Sequence, residues 1–163
     1  MELEQLWAPW RLAYIKGPEP EGCIFCTKPA EGRDEENLIV WRGGSAFVML
    51  NRYPYNSGHV MAVPVRHTGD LEDLTPAEVQ DLWEAVRRSV RALRRALGAQ
   101  AFNIGINLGR AAGAGIVDHL HVHVVPRWAG DTNFMPVLAD VKVIPQHLED
   151  TYRQLREAFQ QEG

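Results

Sequence analysis

The run His119-Leu120-His121-Val122-His123-Val124-Val125-Pro126-Arg127-Trp128 sets three histidines at alternate positions of an apolar, β-branched stretch. Successive side chains of a strand point to opposite faces, so His119, His121 and His123 share one face while Leu120, Val122 and Val124 share the other. One face packs and the other carries chemistry. At roughly 3.3 Å rise per residue, neighbouring imidazoles stand about 6.6 Å apart, near enough for two of them to address one phosphate or one metal ion.

Working outward, residues 38–41 and 46–50 are short β-rich runs joined by Arg42-Gly43-Gly44-Ser45, the signature of a hairpin. Residues 58–65 give a third strand, 101–108 a fourth and 119–125 a fifth. Between the third and fourth lies one strongly marked helix. It opens at Thr75-Pro76-Ala77-Glu78, a capping box with proline at the first helical position, and closes at Gly98. Val79, Leu82, Val86, Val90, Leu93 and Leu97 recur at spacings of three and four and predict its core-facing stripe. Arg87, Arg88, Arg91, Arg94 and Arg95 crowd its second half and read as a solvated face favoured by the negative helix end. A second helix is expected over 146–160, with Leu148, Tyr152, Leu155 and Phe159 on one side. Hairpins plus one long crossover helix predict an α+β fold: an antiparallel five-stranded sheet with helices segregated to one side.

The 163 residues, 45% hydrophobic, suit a single domain over 1–163, with an N-terminal arm (1–22), a core (23–128) and a C-terminal extension with a helix (129–163). A formal charge of -4 gives no global attraction for nucleic acid or acidic membranes, and neither partner is expected. The acidic start, Met1-Glu2-Leu3-Glu4, is unlike a signal peptide, and no apolar run reaches transmembrane length, so a cytoplasmic protein is expected.

Neutral imidazole is a nucleophile toward activated phosphorus at pH 7, and His121, at the centre of the three, is the natural one. The alternative is a metal-binding strand that uses all three histidines. Upstream, Asn107-Leu108-Gly109-Arg110-Ala111-Ala112-Gly113-Ala114-Gly115 is a small-residue loop whose backbone N–H groups can approach a phosphate closely. Cys23 and Cys26, the only cysteines, form a C-x-x-C pair that can supply half of a tetrahedral zinc site, with His59, His67, His119, His121, His123 and His147 as the available partners; a redox pair, for which no thioredoxin-like βαβ pattern is present, and a merely buried pair are the alternatives.

The histidine motif, together with FVMLNRYPYNSGHVMAVPVRH over 47–67, resembles the histidine triad (HIT) superfamily of nucleotidyl hydrolases and transferases. Residues 47–65 look most like its fragile-histidine-triad branch, which acts on dinucleoside polyphosphates. LWAPWRLAYI, CIFC and GDTNFMPV resemble a bacterial subgroup that includes a diadenosine tetraphosphate phosphorylase. The resemblance implies a HIT-like fold and a homodimer that binds adenine nucleotides or dinucleoside polyphosphates. It makes His121 the nucleophile that carries the nucleotidyl adduct, puts His123 near the phosphate oxygens, and matches Asn51 to a ribose contact and Asn107 to a phosphate contact. It also implies one structural zinc on Cys23, Cys26, His67 and His119, with magnesium accompanying the substrate polyphosphate.

The chain departs from many members at Ala114-Gly115-Ile116-Val117-Asp118, where they carry Gln or Ser as a phosphate donor. Contact is therefore assigned to backbone N–H groups around Gly113 and Gly115. The expected reaction is cleavage of a phosphoanhydride in two steps, with phosphorolysis slightly favoured over hydrolysis. A phosphoramidase acting on adenylated amines and a nucleotide-binding interaction module with weak catalysis are the alternatives.

Overall fold

A computed structural model describes residues 21–131 and 146–162. Along them run a short helix α1 (Ile24–Ala30), strands β1 (Ile39–Arg42), β2 (Ala46–Leu50) and β3 (Val60–Pro64), the long helix α2 (Pro76–Leu97), strands β4 (Ala101–Gly105) and β5 (Val122–Arg127), and a helix α3 (Leu148–Gln161). All strand pairs are antiparallel, and the order is β1-β2-β3-β5-β4. Helix α2 carries the chain from β3 toward the far edge, and β5 then returns between β3 and β4. The architecture is the expected α+β one. Most of the expected N-terminal arm, and residues 132–145 of the extension, lie outside the described residues.

Alternation along the strands builds two apolar layers. Val40, Ala46, Val48, Leu50, Val60, Ala62, Val122 and Val124 face α2 and α3 in the larger one. Ile39, Phe47, Met49, Met61 and Val63 face the other way and are covered by Phe25 of α1. The helices are therefore not confined to one side. The sequence reading places no helix at the C-x-x-C pair, because seven residues containing Pro29 carry no amphipathic period.

Helix α2 begins as predicted. The Thr75 side chain accepts the Glu78 N–H, and the Glu78 carboxylate accepts the Thr75 N–H. Arg66 also donates to Glu78, and these two partners hold its carboxyl down to about 2. Gly98 ends the helix at φ 62, the left-handed cap that glycine adopts without a Cβ penalty. The stripe differs from the prediction: Leu82, Ala85, Val86, Ser89, Ala92 and Leu93 are buried, whereas Val79 is 45% exposed. Small residues at 85, 89 and 92 bring the helix axis close to the sheet, which turns Val79 toward the flank. The arginines behave as a solvated face. Arg87 and Arg88 pair with Glu84, Arg91 bridges Glu84 to Glu162 of the α3 end, and Arg94 lies over Phe102. Among the described residues no helix is long and apolar enough to cross a membrane.

Candidate active site and metal centre

Cys23 caps α1, and its carbonyl accepts the N–H groups of Cys26 and Thr27, which brings both thiols of the pair to one end of the helix. There Cys23, Cys26, His67 and His119 converge, one ligand atom from each lying within 4.8 Å of the rest. His119 donates its Nε2–H to the Pro64 carbonyl at 2.7 Å, so Nδ1 keeps its lone pair. That one atom faces Cys23 Sγ at 3.3 Å, Cys26 Sγ at 3.5 Å and His67 Nδ1 at 3.2 Å, while Cys26 Sγ and His67 Nδ1 stand 3.4 Å apart. One lone pair cannot accept from three donors at once. Nitrogen ligands at about 2.0–2.1 Å and sulfur at about 2.3 Å from a tetrahedral zinc are roughly 3.3–3.8 Å from one another, so the measured separations are edges of that tetrahedron. The donor set fits a structural zinc ion. Burial and the adjacent Cys23 push the Cys26 thiol up, an effect that a dication between them reverses.

Two contacts bring His67 to His119. Leu120 N–H donates to the Thr68 carbonyl at 2.7 Å, and a Cβ on Gly69 would lie 2.5 Å from the Val117 oxygen, so only glycine allows this approach. Arg66 fastens the preceding residue to Glu78 at the start of α2.

His121 is buried beside Phe25, ring centroids 4.9 Å apart. Its Nδ1–H donates to the His119 carbonyl at 3.0 Å, which leaves Nε2 as the lone-pair nitrogen. Burial lowers the pKa of His121 and of His119, favouring neutral imidazole. His123 lies on β5, opposite Met61 on one side and Gly105 on the other, with its ring centroid 4.9 Å from that of His121.

His59, by sequence no more than an available metal partner, is fully buried with its Nε2 2.9 Å from His123 Nδ1. Tyr55 N–H donates to His59 Nδ1 at 3.1 Å, and the Tyr55 ring stacks on the imidazole. With Nδ1 accepting, His59 must carry its proton on Nε2 and donate it to His123 Nδ1. His123 then presents Nε2–H as a donor. The period-two order of His59, Met61 and Val63 was the available signal, since it puts His59 on the same face as His123.

The expectation of three histidines on one strand face is only partly met. The β5 ladder begins at Val122, and His119 lies in the bend before it, drawn into the metal cluster. With His121 Nδ1 on a carbonyl and His123 Nδ1 on His59, the three do not share one metal. Asn51, half-buried at the end of β2, accepts the Tyr53 N–H through Oδ1 and donates its own N–H to the His59 carbonyl. Asn107, Gly113 and Gly115 are exposed in the loop after β4, and Gly113 adopts φ 88. Register sets that loop beside the site, because Gly105, just before it, pairs with His123.

This sheet, with His121 and His123 side by side at the start of β5 and a Cys2His2 centre beside them, defines a protein built for histidine-dependent chemistry. Residues 33–130 match the HIT domain, and the chain belongs to the HIT family. It is 42% identical over 162 residues to the AP-4-A phosphorylase of Mycobacterium tuberculosis, covering 94% of this chain and 83% of that protein. It is 38% identical over 93 residues to the asymmetrical bis(5'-nucleosyl)-tetraphosphatase of Schizosaccharomyces pombe, 57% of this chain and 50% of that one. Among solved structures, a Zn-bound histidine triad family protein from Mycobacterium smegmatis superposes with a TM-score of 0.70 at 32% identity, covering 86% and 94% of the two chains.

Proposed function

We propose that this protein cleaves dinucleoside polyphosphates by two successive nucleotidyl transfers through His121, with inorganic phosphate as the second acceptor. The observation that carries the reading is the hydrogen bond from His121 Nδ1 to the His119 carbonyl, which leaves Nε2 unprotonated in a buried site. In the first step Nε2 attacks the α-phosphorus, the P–O bond to the polyphosphate breaks, and ATP leaves when the substrate is diadenosine tetraphosphate. In the second, a phosphate oxygen attacks the same phosphorus, the P–N bond breaks and ADP departs. His123 donates its Nε2–H to the phosphate oxygens. Asn51 holds the ribose, and Asn107 with the backbone N–H groups around Gly113 and Gly115 holds the phosphates, whose charge a magnesium ion offsets. Zinc on Cys23, Cys26, His67 and His119 ties α1 to the approach to β5.

Likeness to the mycobacterial phosphorylase favours phosphate over water. Product analysis with diadenosine tetraphosphate tests this: ADP and ATP are expected only when phosphate is present. AMP and ATP formed regardless of phosphate would make water the acceptor.

The assembly is a homodimer through β4. This strand ends the sheet with Ile104 43% exposed, and Leu108 beyond it is 44% exposed. Trp83, 55% exposed, lies three helical turns before Arg94, which covers Phe102 of β4, and so adds an exposed aromatic to the same flank of the molecule. Sedimentation is expected to give a dimer that Ile104→Lys dissociates; a wild-type monomer at working concentration rejects the assignment. A cytoplasmic location belongs to the same reading, supported by the two free thiols, which a reducing compartment keeps available as metal ligands.

A further inference from the structure

The Asn56 carboxamide is buried, and its hydrogen-bond partners lie at the end of β5 and beyond it. It donates to the Asp131 carboxylate at 2.8 Å and to the Pro126 carbonyl at 3.2 Å, joining the β2–β3 loop to the end of β5. Asp131 also accepts Arg127 Nε at 2.7 Å and Nη2 at 3.0 Å and the Trp128 N–H at 3.2 Å, and Arg127 reaches Asn103 of β4 at 2.8 Å. The junction thus fastens three parts of the sheet at one point. The Asn56 carbonyl accepts the His59 N–H at 3.1 Å, and between them Gly58 turns at φ 83. This turn is what holds Tyr55 N–H against His59 Nδ1 and His59 Nε2–H against His123 Nδ1.

We propose that Asn56 and Asp131 form a positioning clamp which, through Tyr55 and His59, fixes the tautomer of His123 so that its Nε2–H faces the reacting phosphate. Neither residue touches substrate. A charged acceptor for a buried amide is stronger than a neutral one, and its hydrogen bond cannot be replaced by water inside the turn without cost. When the clamp is cut the turn loosens, the Tyr55 N–H no longer dictates which His59 nitrogen is protonated, and His123 samples both tautomers. The catalytic consequence rests on the function proposed above; the tautomer itself does not.

The test is ring-nitrogen NMR on histidine-labelled protein, read with steady-state kinetics on diadenosine tetraphosphate. Wild-type His123 should show the Nε2–H form. In Asn56→Ala it should show a mixture, with kcat down about tenfold, part of the roughly 10²–10⁴-fold that a positioned proton donor supplies, and KM within about twofold. Asp131→Asn keeps the side-chain shape and removes the charge, so it should show a smaller shift of the same kind, and it carries the test if Asn56→Ala does not fold. An unchanged His123 tautomer in a folded variant overturns the clamp. Wild-type protein inert toward the dinucleotide would instead count against the proposed function, while the NMR result still decides the clamp.

Discussion

His121→Asn is expected to fold normally and to lose turnover of diadenosine tetraphosphate by on the order of 10⁴-fold or more, the scale on which removal of an attacking group acts. Asparagine is shorter than histidine, and its amide can still donate to the His119 carbonyl that now accepts Nδ1–H. The site therefore keeps its hydrogen bond and loses its nucleophile. Some packing against Phe25 is lost, which costs stability by about 1 kcal/mol, too little to unfold the chain. KM should change little, because the ribose and phosphate contacts assigned to Asn51, Asn107 and the glycine loop are untouched. Rapid alkaline quenching, which spares the acid-labile P–N bond, followed by mass analysis gives the complementary reading: wild type carries a nucleotidyl adduct in the steady state when phosphate is limiting, and the variant carries none. Retention of activity within tenfold, or an adduct mapped to another residue, would remove His121 from its proposed role.

Cys26→Ser has the second large effect, on stability before chemistry. Ser Oγ is a poor zinc ligand, and the remaining three donors cannot close a tetrahedron. Loss of a ligand from a structural zinc site removes several kcal/mol, and at about 2–4 °C per kcal/mol for a chain of this size the unfolding midpoint should fall by roughly 10 °C. Metal content by plasma mass spectrometry should drop in parallel. Chelation of wild type should reproduce the shift, with activity declining only as the fold loosens, because α1 and the His119 bend are what the metal holds together. Immediate loss of chemistry at unchanged melting temperature would argue for a metal in the reaction itself. A protein that purifies without metal and melts no lower after Cys26→Ser would show the cluster to be a hydrogen-bonded thiol pair.

Much of this was legible in order along the chain. The strand alternations, the Thr75 capping box and the Gly98 stop are local signals, governed by backbone geometry within a few residues, and the elements form close to where those signals lie. The metal ligands were reached through family resemblance, since C-x-x-C spacing gives two ligands and leaves six histidines to choose among. The structure makes the choice physical: Gly69 lets His67 approach, and the Pro64 carbonyl accepts the His119 Nε2–H, which leaves Nδ1 free to ligate. Helix α1 and the exposure of Val79 were not legible: α1 depends on the apolar face that Phe25 covers across the sheet, and Val79 on which face of α2 the sheet takes up.

An α+β fold with a histidine-bearing strand, the capped crossover helix, and the side chains chemically able to attack phosphorus or hold zinc are all readable along the chain. These follow from residue type and spacing, whose effects reach one or two turns or a strand's width. Which nitrogen of each histidine carries the proton is set by the folded arrangement instead. The partners that settle it, a carbonyl two residues away for His121, Pro64 for His119, and Tyr55 acting through His59 for His123, are brought together by β3, β5 and the loop before β3. A tautomer is fixed by hydrogen-bond geometry in three dimensions, and spacing along a chain does not encode it.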